Sequence, residues 1–298
     1  MDHIDAIPAG QGDVAPTGGR DSVDAKGEPS HSQPGQINLT EREFLSDSYK
    51  MDYPKRGTAV IINNKKFQPI TGMGERTGTD VDANSMYGLL DKMGFEKIFC
   101  HDNLTAREMV RKLQEVARQD HKDSSCFVCV ILTHGEEGYV FGTDDKVPID
   151  DLVAPFKGHN CKSLAAKPKI FFIQACRGTE LDSGIEVADA SEMEVEMEED
   201  ETIVRRIPTE ADFLMAYSVV PGYFAWRNSA RGSWFIQAIV DVFTKYWDKL
   251  DLLTLMTRVN KKVAYDFESN ASREYMNRKK QIPCITSMLT KDVYFKKK

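Results

Sequence analysis

The chain has 298 residues, 41% of them apolar and 29% charged, which is ordinary for a soluble globular protein with a sizeable core. Its net charge of −7, with no basic cluster, argues against a nucleic-acid partner or an anionic membrane surface. No apolar run approaches the roughly 18–20 residues that span a bilayer. Met1-Asp-His-Ile-Asp also lacks the pattern of a signal peptide, so a cytoplasmic setting with reduced thiols is expected.

Residues 1–50 are rich in Gly, Pro, Ser, Asp and Gln and poor in large apolar side chains, the composition of a disordered leader. Order is expected from Arg56 onward. Residues 58–62 form a β-branched run ended by Asn63-Asn64. Val81, Met86, Leu89, Leu90 and Met93 give residues 79–93 a helical spacing, closed by Gly94. Residues 96–100 read as a short strand. Residues 105–119 read as a second amphipathic helix, with Met109, Val110, Leu113 and Val116 on one face. Residues 126–133 and 169–175 are nearly all apolar, as strands buried on both faces of a parallel sheet are. Cys126 and Cys129 fall in the first of these. Positions three apart on a strand face opposite sides of the sheet, and there is no second Cys-x-x-Cys, so packing is expected there rather than metal. Residues 186–201 are dominated by Glu and Asp with no Lys or Arg, the signature of a linker inside the fold. Strand 212–219, helices 234–246 and 252–267 and strand 283–289 complete an α/β chain without internal repeats.

Two of the buried strands end on reactive residues. One runs into His134-Gly135 and the other into Ala175-Cys176. Ligands of open α/β sheets bind outside the carboxyl ends of the strands, so a thiol and an imidazole are delivered to one edge. A thiolate attacks a carbonyl more readily than a thiol does. Imidazole, which ordinarily titrates near neutral pH, can protonate a leaving amine. The backbone N–H groups of Gly135 and Cys176 are candidate oxyanion donors. Taken singly, Cys176 also reads as a core cysteine and His134 as a satisfied polar cap.

The string Gln174-Ala175-Cys176-Arg177-Gly178, with a His upstream at 134, resembles the caspase signature. So do Arg76-Thr-Gly-Thr-Asp-Val-Asp-Ala, Leu132-Thr-His-Gly-Glu, Ala211-Asp-Phe-Leu, Val220-Pro-Gly-Tyr, Ser233-Trp-Phe-Ile-Gln-Ala and Gln281-Ile-Pro-Cys-Ile-Thr-Ser-Met-Leu-Thr-Lys. In that order, across residues 50–298, they resemble an executioner (effector) caspase with a short prodomain.

The resemblance implies a three-layer α/β sandwich, its mostly parallel central sheet flanked by helices and continued across a dimer through residues 283–289. It implies an aspartate-specific cysteine endopeptidase that needs no cofactor or metal and cleaves cellular proteins in apoptosis. Cys176 is then the nucleophile, His134 its acid–base partner and Gly135 part of the oxyanion hole. Arg76, Gln174 and Arg227 hold the substrate aspartate, for which a guanidinium is suited by its bidentate geometry and permanent charge. Phe224, Trp226 and Met276 shape the adjoining pocket. Asn228 and Trp234 take the fourth residue upstream of the cut, where the segment from Asn270 lacks the aromatics that some executioner caspases carry.

As a zymogen of this kind, the chain would divide into a prodomain (1–50, removable after Asp24), a large subunit (51–189) and a small subunit (190–298). The cut would follow Asp189 in the acidic linker (186–204). Implied partners are protein substrates with Asp at the cut, an upstream activating caspase, a second copy of the chain and inhibitor-of-apoptosis proteins. A catalytically silent scaffold of the same fold is the alternative, but such a chain would usually have lost the His or the Cys. Legumain-like and metacaspase-like readings fit less well, the first for want of a secretion signal. The second needs an acidic pocket for basic residues where this chain offers arginines.

Overall fold

A computed structural model describes residues 40–178, 180–183, 208–270 and 274–297. The leader with Asp24 and the acidic linker with Asp189 lie outside the described residues. In chain order the elements begin with α1 (Glu41–Phe44), β1 (Lys55–Asn63), α2 (Thr79–Lys92), β2 (Lys97–Asp102), α3 (Ala106–Ala117) and β3 (Ser124–Leu132). A small sheet follows, of β4 (Gly135–Glu136), β5 (Tyr139–Phe141) and β6 (Lys146–Pro148), then α4 (Ile149–Val153) and β7 (Lys169–Gln174). The remainder is β8 (Phe213–Tyr217), β9 (Arg227–Asn228), β10 (Gly232–Ser233), α5 (Trp234–Tyr246), α6 (Leu252–Asp266) and β11 (Cys284–Ser287).

The apolar runs become one six-stranded sheet in the order β11-β8-β7-β3-β1-β2. Five strands are parallel, and β11 joins β8 antiparallel as the terminal strand. Every residue of β3 and β7 is buried. Helices cover both faces, which explains why residues 126–132 and 170–173 are apolar throughout rather than alternating. One layer packs Met86, Leu89 and Leu90 of α2 with α5 and α6. The other packs Met109, Leu113 and Val116 of α3 with Leu152 of α4. Cys126 lies in the first layer and Cys129 in the second, the opposite facing that strand geometry requires.

Local chemistry sets the helix ends. Thr105 accepts from the Glu108 N–H while the Glu108 carboxylate accepts from the Thr105 N–H, a reciprocal cap that starts α3. Gly94 ends α2 at φ 83°, where a side chain would be strained. The expected apolar face of α2 needs one correction. Val81 is exposed, and the inward position in the first turn belongs to Asp82. Asp82 is one helical repeat from Met86, whereas Val81 is rotated off that face. The short elements β4–β6, α4, β9 and β10 carry no periodic signal. Among the described residues no helix is long and apolar enough to cross a membrane.

Candidate active site

β3 and β7 are neighbours with Leu132 beside Gln174, and the Thr133 N–H donates to the Gln174 carbonyl at 3.1 Å. The residues that follow are therefore delivered together. A Cβ placed on Gly135 would stand 2.7 Å from the Cys176 carbonyl oxygen and 2.8 Å from the Ala175 Cβ, so the two strand ends are in backbone contact. Only glycine permits that approach. Ser218, just beyond β8, fixes the Cys176 turn by donating to the Ala175 carbonyl at 2.8 Å and accepting from the Ala175 N–H at 3.3 Å. Its hydroxyl had no sequence signal.

The imidazole of His134 lies 2.8 Å through Nε2 from the carbonyl oxygen of Gly74. A carbonyl only accepts, so Nε2 carries the hydrogen and Nδ1 keeps a free lone pair. Phe67 flanks the ring at 4.8 Å between centroids. Gly74 acts through its backbone and Phe67 sits in a loop, so neither could be picked out from sequence. Burial pulls the His134 pKa down to about 4; the Gly74 bond opposes this, and the positive charges of Arg76 and Arg227 add to it. The imidazole is thus well below its ordinary near-neutral range. Burial pushes the Cys176 thiol up, against a hydrogen bond from the Ala225 backbone and the two arginines. At neutral pH the resting forms are a thiol at Cys176 and a neutral imidazole at His134.

Arg76 is fully buried. Its Nη1 donates to the Asn64 carbonyl at 3.1 Å and the Thr79 hydroxyl at 2.7 Å, but Nε and Nη2 have no partner. The Oε1 of Gln174, also buried, has none either. Arg227 is half-buried, and its Nε donates to the Thr77 carbonyl at 2.9 Å. Burial, then the nearby charge of Arg227, lowers Arg76 to about 9. Buried donors without acceptors are rare, and two cations sharing one buried region are costly unless an anion joins them.

An aromatic ladder runs alongside. Phe224 meets Trp226 edge-on at 5.4 Å, Trp226 stacks on Trp234 at 5.6 Å, and Trp234 stacks on Phe267 at 5.5 Å. Phe267, immediately past α6, was not singled out from sequence. The Trp226 backbone N–H donates to the Gln281 side-chain oxygen at 2.7 Å. Met276 is half-buried on a 3-10 turn, where its carbonyl accepts from Ser269 Oγ at 2.7 Å. Asn228 is exposed, and its side-chain oxygen accepts from the N–H groups of Ala230 and Arg231, both at 2.9 Å. That leaves its NH₂ as the end suited to a carboxylate.

A parallel α/β sheet whose neighbouring strand ends present His and Cys, beside buried guanidinium donors, defines the class as a cysteine peptidase. Residues 56–294 match the family model described as Caspase domain. The chain is 49% identical over 251 residues to Caspase-3 of Bos taurus, covering 84% of this chain and 88% of that protein. It is 47% identical over 261 residues to Caspase-3 of Mesocricetus auratus, covering 88% and 91%. The crystal structure of Caspase-1 from Spodoptera frugiperda superposes with a TM-score of 0.80 at 40% identity, covering 89% of this chain and 98% of that one. The chain belongs to the caspase family. It is a cysteine endopeptidase of the executioner type, cleaving after aspartate in apoptosis, and the scaffold alternative finds no support.

Proposed function

We propose that Cys176 attacks the backbone carbonyl of the substrate aspartate while His134 Nδ1 takes the thiol proton. The imidazolium then returns that proton to the leaving amine, and the Gly135 and Cys176 N–H groups hold the oxyanion. Water, deprotonated by the same imidazole, releases the acyl group. Arg76, Arg227 and Gln174 receive the aspartate carboxylate. The observation that carries this reading is the set of unsatisfied buried atoms: Arg76 Nε and Nη2 lack an acceptor, and nothing ties the Gln174 oxygen, so its NH₂ can turn to the same carboxylate. Phe224, Trp226 and Met276 line the adjoining pocket, and Asn228 and Trp234 meet the fourth upstream residue.

The chain is made as a zymogen, cut after Asp189 into a large (51–189) and a small (190–298) subunit and trimmed after Asp24. β11, the terminal strand, pairs with β11 of a second copy; its Thr286 and Ser287 are exposed in the described chain. It acts in the cytoplasm on protein substrates, is activated by an upstream caspase and is restrained by inhibitor-of-apoptosis proteins. Treatment of the processed protein with an aspartyl fluoromethyl ketone tests the site. The expected result is one adduct, on the peptide containing Cys176, blocked by prior Cys176→Ala substitution. An adduct elsewhere, or none, overturns the assignment.

A further inference from the structure

The two guanidiniums of the aspartate pocket come from distant stretches of chain, Arg76 just ahead of α2 and Arg227 on β9. Between them lies a carboxylate that the chemistry above does not use. Asp82, in the first turn of α2, is only 1% exposed, and among the described residues it makes no ion pair within contact distance. Its partners are instead the N–H of Ser233 at 2.8 Å and the Ser233 hydroxyl at 2.5 Å. Ser233 stands directly opposite Arg227 in the β9–β10 pair. The fit is tight: Gly232 has φ 87°, and a Cβ there would lie 2.2 Å from Asp82 Oδ1. Gly78, at φ 85°, similarly lets its loop touch the Asn228 carbonyl.

We propose that Asp82 is a positioning residue for the aspartate pocket: by gripping Ser233 through both its N–H and its hydroxyl, it holds β9, and with it Arg227, in place against the segment that carries Arg76. The inference rests on the pocket reading given above. A buried carboxylate is an expensive group to place on an otherwise apolar helix face unless hydrogen bonds compensate it. The two charge-assisted bonds from one residue fix both a distance and an orientation, which a packing contact does not. Its charge also favours the protonated form of both arginines, which repel one another. The grip joins the stretches that would become the large and small subunits, so it survives a cut at Asp189 without a covalent link. A pocket held this way recognises its carboxylate with little reorganisation on binding.

The test compares Asp82→Ala, Asp82→Asn, Ser233→Ala and Arg227→Ala in the processed enzyme, with active sites counted by alkylation of Cys176. Asp82→Ala is expected to raise KM for an Asp peptide about tenfold or more, with kcat per active site within about threefold of wild type, because the dyad is untouched. Ser233→Ala, which keeps the backbone bond, is expected to raise KM about threefold, and it carries the test if Asp82→Ala does not fold. Asp82→Asn can still accept from the Ser233 N–H and donate to its hydroxyl, so KM is expected to return to within about threefold of wild type. Lower thermal stability or fewer alkylatable sites at unchanged KM in Asp82→Ala and Ser233→Ala overturns the proposal. So does an Asp82→Asn variant as impaired as Asp82→Ala, which would assign the effect to charge rather than grip. Unchanged KM in Arg227→Ala would show instead that the pocket reading had failed and that the proposal falls with it.

Discussion

The catalytic pair and the aspartate pocket are built in different ways. His134 and Cys176 each sit two residues past adjacent, wholly buried parallel strands, so the buried centre of the sheet places them. Arg76 and Arg227 sit on loops and a two-residue strand, brought together by tertiary contacts such as Arg227 to the Thr77 carbonyl and Asp82 to Ser233. On the proposed assignment the chemistry is anchored in the core, while recognition depends on how two chain segments meet. A pocket made this way could be assembled or disabled without disturbing the reacting atoms, which suits the proposed activation by a cut after Asp189.

The comparison breaks most visibly if the rigid half is dispensable. Cys176→Ala and His134→Ala are each expected to lower kcat about 10⁴-fold, since the members of a catalytic pair act as a unit, with thermal unfolding little changed. Stopped-assay turnover of the purified variants checks this, and near-normal turnover by either would remove the mechanism. The switchable half is examined by Asp189→Ala. Uncut, that protein is expected to show kcat/KM lower by about tenfold or more than cleaved wild type, as the proposed activation by cleavage requires. Equal efficiency, with the chain intact by mass spectrometry and no cut at Asp200, contradicts it.

A smaller effect concerns the fourth upstream residue. Asn228 offers its NH₂, but Asn270 stands where an aromatic wall is wanted, so peptides with Asp or Val there should differ by about tenfold or less. A peptide library reads this, and a hundredfold preference for Asp would mean another residue supplies the wall. The pH profile gives the mildest test. The His134 pKa is pulled down to about 4, so the neutral base is present above that value and is lost as pH falls through it. The acid limb of kcat/KM is expected near pH 4, well below the ordinary imidazole range, with no loss on the alkaline side of neutrality because burial holds the Cys176 pKa up. An acid limb near 6.5 would show that the active conformation exposes the imidazole.

The same division explains what could be read from the amino-acid order. β3 and β7 were legible because strands buried on both faces have continuous apolar runs, here 126–132 and 170–173, and His134 and Cys176 follow within a few residues of them. The α3 start was legible from the Thr105–Glu108 pair. In α2, Val81 was assigned the inward place that Asp82 occupies, because hydrophobic periodicity cannot register a buried carboxylate whose partner, Ser233, lies far along the chain. Phe67, Gly74, Ser218 and Phe267 were missed for a related reason. Each acts through a backbone carbonyl, a hydroxyl or a ring that meets the site only after folding. Arg76, Gln174 and Arg227 were proposed for the pocket through motif resemblance alone, since an isolated arginine reads as a surface residue.

The most direct measurement is the selectivity of Arg76→Ala for matched peptides that carry Asp or Asn before the scissile bond. Wild type should prefer Asp by about a thousandfold or more, since a buried guanidinium left without its carboxylate costs about 3–5 kcal/mol. Arg76→Ala should lose most of that ratio, to about tenfold or less, while turnover of the Asn peptide stays within about threefold of wild type. An unchanged Asp-to-Asn ratio in Arg76→Ala, or a proportional loss on both peptides, would contradict a carboxylate pocket built separately from the catalytic pair.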